Sequence, residues 1–117
     1  MIPDFWSQLA DACHGLLYPS ETDAPVEPVR LRPPFPWDDP EMPVVEQSAD
    51  DFFAELRNAP HAAGFHALHL LLADALEDLR VHRVGDVRVA VFLTGRLKGA
   101  PSDDPTRIGV RTWSVET

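Results

Sequence analysis

Residues 87–94 read VRVAVFLT, and this stretch decides the fold class. Its apolar residues lie on both sides of an extended chain, with Val87, Val89, Val91 and Leu93 on one side and Ala90 and Phe92 on the other. Such a pattern predicts a central strand in a sheet that is covered on both faces. Gly85 and Asp86 come directly before it and predict a tight turn back to a strand over residues 81–84.

Two other stretches predict further strands. Residues 26–32 alternate weakly between polar and apolar side chains. Pro28 has no N–H to donate, which indicates that this strand lies at an edge of the sheet. Residues 107–116 predict the last strand, which runs almost to the end of the chain.

Residues 33–47 are predicted to be a proline-rich loop. Five prolines fall within residues 33–43, which excludes a helix and favours extended chain. Phe35 and Trp37 are expected to anchor this loop as a cover over the rest of the fold. The alternative is that it serves as a proline-rich ligand for a partner.

Apolar residues at three- and four-residue spacing predict three helices. The first covers residues 3–17 and the third covers residues 61–80. The second begins at Ser48 and ends at Pro60. Helices that flank a doubly covered sheet predict an α/β (α+β) fold, a single domain over residues 1–117 arranged as a three-layer α/β/α sandwich with a small mixed or antiparallel sheet.

The charge of the chain is unevenly distributed. Its net charge is −9, with 10 Lys and Arg against 19 Asp and Glu. Residues 1–60 hold 3 basic and 12 acidic residues, whereas residues 61–117 hold 7 of each. This argues against direct nucleic-acid binding, which needs a basic face. An acidic half favours a basic protein partner, whose approach it would steer. The alternative is that the acidic surface only keeps a small protein soluble.

The sequence lacks cysteine pairs, a membrane-spanning segment and a signal peptide pattern, which limits the cellular location that we expect. The single cysteine, Cys13, excludes an internal disulfide and a cysteine-based zinc cluster, and it lies on the apolar side of the first predicted helix. No apolar run approaches the ~20 residues of a membrane span. The first residues lack the basic stretch of a signal peptide. We therefore expect a cytoplasmic protein with no membrane partner.

Three histidines give a pattern that could belong to an enzyme. His66 and His69 lie three residues apart and would share one side of a helix, with His61 nearby. No acidic residue close in sequence completes a metal site, so structural or surface histidines are expected. We accordingly expect no catalytic residue, no cofactor and no metal of the protein's own. A small enzyme that uses these three histidines remains an alternative.

Two segments remain as candidates for a binding site. One is the acidic turn over residues 20–23, and the other is the chain end over residues 115–117. An acidic turn is commonly only solvated, and chain ends are commonly poorly ordered. Here the predicted last strand runs almost to Thr117, which would hold the terminal carboxylate in place.

At these residues the chain resembles the nuclease A inhibitor family. Residues 9–23 (LADACHGLLYPSETD) are similar to a family helix with Gly-Leu-Leu, an aromatic residue and Ser-Glu-Ser. Residues 82–95 (HRVGDVRVAVFLTG) resemble the family's Arg-Leu-Gly-Glu-Val strand start and its Thr-Gly strand end. Residues 108–117 (IGVRTWSVET) end in Val-Glu-Thr, as the family does. The Phe52-Phe53 pair also has a counterpart there.

The resemblance implies a PR-1-like α/β/α sandwich that inhibits a sugar-non-specific nuclease of the ββα-metal type. In the family, a Glu after the first helix and the C-terminal Thr reach into the nuclease active site. These match Glu21 and Thr117, and the Thr approaches the catalytic magnesium through its hydroxyl and its carboxylate. The neighbouring candidates for the rim of the contact are Thr22, Asp23 and Glu116. We expect a monomer that binds the nuclease one-to-one and mimics nucleic acid with its carboxylates.

The chain also departs from the family pattern. The segment over residues 57–61 is shorter than the corresponding family segment and lacks its exposed Gln, Asp and Trp. The proline-rich stretch over residues 33–43 also differs from the middle part of the family sequences. A second hypothesis therefore stays open, namely an acidic immunity- or antitoxin-type module that binds another basic protein.

Overall fold

The computed structural model describes residues 4–19 and 23–115. In chain order the elements are α1 (Phe5–Cys13), β1 (Leu17–Tyr18), β2 (Ala24–Pro25), β3 (Glu27–Leu31), a 3-10 turn (Pro36–Asp38), β4 (Val44–Ser48), α2 (Ala49–Ala54), α3 (Ala62–Ala75), β5 (Leu76–Val84), β6 (Arg88–Leu97) and β7 (Arg107–Val115). Five strands form one antiparallel sheet in the order β3-β7-β6-β5-β4. The short strands β1 and β2 form a separate hairpin.

The sheet confirms the main strand predictions. β6 is central and pairs with β5 and β7, because its apolar residues can be buried on both faces. Gly85 lies in the turn between β5 and β6 with a φ of 123°, a conformation that glycine adopts without a Cβ penalty. β3 contains Pro28 and lies at an edge of the sheet, as predicted.

Helices α1 and α2 each begin after a residue whose side chain caps the helix N-terminus. The Asp4 carboxylate accepts a hydrogen bond from the Ser7 N–H at 2.7 Å. The Ser48 hydroxyl likewise accepts one from the Asp51 N–H at 3.1 Å. Phe52 then turns into the core, as predicted for the second helix.

Four predicted helix or loop boundaries are wrong. The second helix ends at Ala54 and not at Pro60. The first helix ends at Cys13, because Gly15 takes a φ of 74° and turns the chain. The third ends at Ala75, and residues 76–80 belong to β5 because they pair with β6. Residues 44–47, assigned to the proline-rich loop, lie in β4, because they pair with β5 along the other edge of the sheet.

All three helices pack on one face of the sheet. Leu9 of α1, Phe52 of α2 and Leu68 of α3 share one core with Val91 and Leu93 of β6. Within the described residues the three-layer α/β/α arrangement is therefore not confirmed, whereas the α+β class with an antiparallel sheet is. The likeness to the PR-1 fold stays a prediction. No helix in the described part of the chain is both long and apolar enough to cross a membrane.

The proline-rich loop forms a cover, as predicted, and it lies over β5 and β6 on the opposite face of the sheet. The Trp37 ring stacks on His82 of β5 with 4.1 Å between ring centroids, and Phe35 stacks on Trp37 at 4.8 Å. Trp37 also touches Phe92 of β6 at 5.6 Å. The loop is thus a cover anchored by its two aromatic side chains.

His82 makes a pH-dependent contribution to stability. Its side chain is 7% exposed, and its Nδ1 has no hydrogen-bond partner among the described residues. Burial is the main cause that lowers the pKa of His82; nearby Arg107 and Arg80 lower it further, while Glu46 and Asp38 oppose them. Because the unfolded chain binds this proton more readily, the neutral form stabilises the fold above about pH 6.5, and this stabilisation falls as the pH drops.

A His82→Phe variant tests this contribution. We expect the wild-type free energy of unfolding to fall more between pH 7.5 and pH 5.5 than that of the variant, because Phe retains the stack on Trp37 and cannot bind a proton. Urea titrations at both pH values measure the difference. An equal fall in the two proteins would contradict the assignment.

Candidate functional site

One end of the sheet brings together the residues that flank both candidate binding segments. Tyr18 pairs with Ala24, so the β1–β2 hairpin brackets the acidic turn. β7 ends at Val115, which pairs with Arg88 at the start of β6. The Thr112 hydroxyl of β7 donates a hydrogen bond to the carbonyl oxygen of Pro25 at 3.1 Å, which joins the hairpin to the last strand.

The predicted site residues fall partly inside the structure. Asp23 is described and its side chain is exposed at the end of the turn. Glu21, Thr22, Glu116 and Thr117 lie outside the described residues. Their roles therefore stay predictions.

The hairpin and the end of β7 together line a cavity of about 430 Å³. Its lining combines an apolar floor with one carboxylate and one guanidinium, formed by Asp23, Ala24, Pro25, Arg88, Trp113 and Val115. Two guanidinium groups lie near the Trp113 ring, that of Arg111 at 4.7 Å and that of Arg88 at 5.7 Å from the ring centroid. Cation–π attraction of this kind helps to hold the indole in place beside Val115.

A second cavity of about 490 Å³ lies on the helix side of the same sheet end. Arg83 braces it, since its guanidinium donates to the Tyr18 hydroxyl at 3.2 Å and to the Gln47 side-chain oxygen at 3.3 Å. The Glu55 carboxylate lies 3.7 Å from the same guanidinium. Ser114 of β7 also lines this cavity. The base of the acidic turn, at Tyr18, is therefore tied to the sheet.

The lining of this second cavity includes two carboxylates. Glu46 and Glu55 both line it, and each lies close to an arginine. The hydrogen bond from Arg80 is the main cause that lowers the pKa of Glu46, so Glu46 is ionised at neutral pH. The two carboxylates at this cavity are thus each paired with an arginine.

The arginines and aromatic residues of this site were missed from the sequence. Neither Tyr18 nor Trp113 was predicted to be part of a binding site. Arg88 becomes relevant because antiparallel register places it opposite Val115. A pairing between residues this far apart in sequence leaves no local pattern that could have revealed it.

The histidines do not form a metal site in the structure. Among residues 4–19 and 23–115, no group of three or more His, Cys, Asp and Glu side chains is arranged to hold a metal ion. His69 stacks on Phe53 with 4.2 Å between ring centroids, and its Nε2 lies 3.6 Å from the Asp50 carboxylate. His66 and His69 border a cavity of about 740 Å³ between α2 and α3. Its lining residues belong to neither candidate binding segment. The packing of His69 is that of a structural side chain.

Cys13 is a buried core cysteine, as predicted. Its side chain belongs to the same core as Leu9, and burial raises the pKa of its thiol to about 11. The thiol is therefore protonated at neutral pH and is not available as a nucleophile.

A comparison with protein families agrees with this geometry. The family model described as nuclease A inhibitor-like protein matches residues 4–117, which include the acidic turn and the chain end. No curated protein matches the chain. Because the matched region is nearly the whole sequence, the chain belongs to the nuclease A inhibitor-like family.

Proposed function

We propose that this protein inhibits a magnesium-dependent, sugar-non-specific nuclease of the ββα-metal type by blocking its active site. Family membership supports a nuclease inhibitor, and one observation supports the mechanism. The residues that bracket the acidic turn (Tyr18 and Ala24) and the residue that precedes the chain end (Val115) meet at one end of the sheet. A single docking event would therefore present both segments to one partner.

Thr117 is the residue that we assign to the metal. Magnesium prefers oxygen ligands and commonly keeps waters that a substrate phosphate displaces. A C-terminal threonine offers a carboxylate oxygen and a hydroxyl oxygen that close a six-membered chelate ring with the ion. The carboxylate imitates the charge of a phosphate but has no bond that the nuclease can cleave.

Glu21 is assigned to the surroundings of the metal. Its carboxylate would accept hydrogen bonds from metal-bound waters or from an arginine of the nuclease. Thr22, Asp23 and Glu116 would form the rim of the contact. Because a nuclease groove is basic, its field would attract the acidic half of this chain.

A rigid frame supports tight binding by these two short segments. The hairpin pairing, the Thr112 hydrogen bond and the arginine contacts on Trp113 already order the flanking residues. Ordering a segment only on binding costs free energy, so a fixed frame lowers that cost. We propose a non-enzymatic, cytoplasmic monomer that needs no cofactor and binds its nuclease one-to-one.

Titration of a purified ββα-metal nuclease with the intact chain tests the function. We expect the cleavage of both DNA and RNA to stop at one equivalent of inhibitor, because the metal centre serves both substrates. A nuclease that works without a metal is the matched control and should be unaffected. Full activity of the ββα-metal nuclease at excess inhibitor would contradict the proposal and favour an immunity-type module for another basic protein.

A further inference from the structure

We infer that the groove between α2 and α3 is a second binding site, separate from the proposed nuclease contact, and that it takes a small organic carboxylate with an apolar body. The cavity in this groove has a volume of about 740 Å³. Small-molecule sites commonly measure roughly 300–1,000 Å³ and combine apolar walls with a few polar groups. Arg57 would bind the carboxylate, and the walls would contact the rest of the ligand. The inference does not depend on the proposed function.

One wall of the groove comes from α2 and the turns that follow it. Asp50, Phe53 and Arg57 line the cavity at three- and four-residue spacing, which places them on one side of a helically wound chain. α2 itself ends at Ala54. The Arg57 N–H still donates a hydrogen bond to the Ala54 carbonyl oxygen at 3.4 Å, so the winding continues as far as Arg57.

The facing wall comes from α3. Ala62, His66 and His69 line the cavity at four- and three-residue spacing, so they also share one side of their helix. Ala63 lines it too, and the two alanines leave the space between the helices open because their side chains are short. Phe65 lines the cavity and is buried, which gives the groove an apolar base.

Arg57 is the charged group in this groove that is left for a ligand. Its guanidinium has no hydrogen-bond or ion-pair partner among residues 4–19 and 23–115. Arg80 and Arg83, by contrast, are each paired with a carboxylate. A guanidinium presents two parallel N–H groups that match the two oxygens of a carboxylate. The exposed imidazole of His66 can donate a further hydrogen bond at the same wall.

Asp50 limits how far negative charge can extend along the groove. Its carboxylate lies 3.6 Å from Nε2 of His69. Seven residues of helical winding separate Asp50 from Arg57, or about 10 Å along the groove. A single carboxylate bound to Arg57 stays clear of Asp50, whereas a polyanion such as a nucleic-acid strand would meet its charge and be repelled. The apolar body of a small ligand would instead reach the His69 ring, which stacks on Phe53 at 4.2 Å.

Titration of the intact chain with phenylacetate, followed by NMR, tests the site. Phenylacetate carries one carboxylate on a short apolar body, and phenylacetamide is its neutral counterpart of nearly the same shape. We expect phenylacetate to cause saturable shifts of the backbone amide signals within residues 50–69. Its dissociation constant should be on the order of 1 mM, because so small a ligand supports only a weak complex. Phenylacetamide should bind about tenfold more weakly, because it lacks the charge that strengthens hydrogen bonds from an arginine.

Two arginine variants identify the binding group. Arg57→Gln removes the positive charge from the groove and should weaken phenylacetate binding about tenfold. Arg32→Gln is the matched control and should bind as the wild type does. Arg32 is also exposed, and its guanidinium also lacks a hydrogen-bond or ion-pair partner within the described residues, but it lines a different cavity.

The possible outcomes each decide the inference. It is overturned if phenylacetate causes no saturable shift within residues 50–69, or if phenylacetamide binds as well as phenylacetate does. An equal loss of binding in the Arg57 and Arg32 variants would overturn it too. Thermal unfolding shows whether each variant keeps the fold, and the comparison of the two ligands on the wild type needs no variant. Because no nuclease is present, every result is independent of the proposed function.

Discussion

Deletion of Thr117 should weaken inhibition of the nuclease about 30-fold or more. Removal of one partner of a buried, charge-assisted contact typically costs 2 kcal/mol or more in binding. The deletion also places the new terminal carboxylate one residue back, on Glu116, where no hydroxyl accompanies it. The inhibition constant of the deleted chain, measured beside that of the intact chain, gives the effect.

Two further variants separate the hydroxyl from the carboxylate. Thr117→Val keeps the terminal carboxylate and removes only the hydroxyl, so it should lose part of the affinity. One glycine added after Thr117 keeps the hydroxyl and moves the carboxylate away, so it should lose most of the affinity. The same glycine added before Met1 is the control and should change nothing. Unchanged inhibition by the deleted chain would remove the chain end from the mechanism.

Gly109→Ala should destabilise the fold by about 3 kcal/mol or more. Gly109 of β7 pairs with Thr94 of β6, and a Cβ at Gly109 would overlap the carbonyl oxygen of Leu93. It would also lie 2.9 Å from the Thr94 Cα. Backbone atoms of a central strand cannot move aside cheaply, so β7 would separate from β6. Chemical denaturation measures the loss.

Gly64→Ala is the matched control for this substitution. A Cβ at Gly64 would meet only the end of the Leu16 side chain, at 2.8 Å, and that side chain can rotate. Gly64 lies within α3, where alanine is favoured over glycine by about 1 kcal/mol. We expect stability within about 1 kcal/mol of the wild type. Equal losses at Gly64 and Gly109 would contradict the account of close strand packing.

Periodicity predicted the central parts of the fold but not its boundaries. The two-sided apolar pattern of residues 87–94 predicted β6 and its central position, because only a doubly covered strand carries it. The end of α3 was missed because Leu76 and Leu79 also fit a helical spacing. β4 was missed because it follows Pro43 directly and owes its structure to pairing with β5. Tertiary pairing overrode the local pattern at both places.

The candidate site divides in the same way. Glu21 and Thr117 were assigned from a family resemblance, since an acidic turn and a chain end carry no specific local signal. The arrangement around them depends on the register of β6 against β7, which sets Arg88 beside Val115 and both near Trp113. Helices were expected on both faces of the sheet, because the proline-rich loop was not predicted to cover one face without a helix. Trp37 on His82 provides that cover.

The affinity of the intact chain for the nuclease, measured with and without magnesium, tests the central claim most directly. Calorimetric titration of the metal-loaded nuclease should give one-to-one binding, and chelation of the magnesium should weaken that binding about tenfold or more, because the Thr117 oxygens lose the ion that they contact. Equal affinity in the two states would contradict an inhibitor that acts through the catalytic metal.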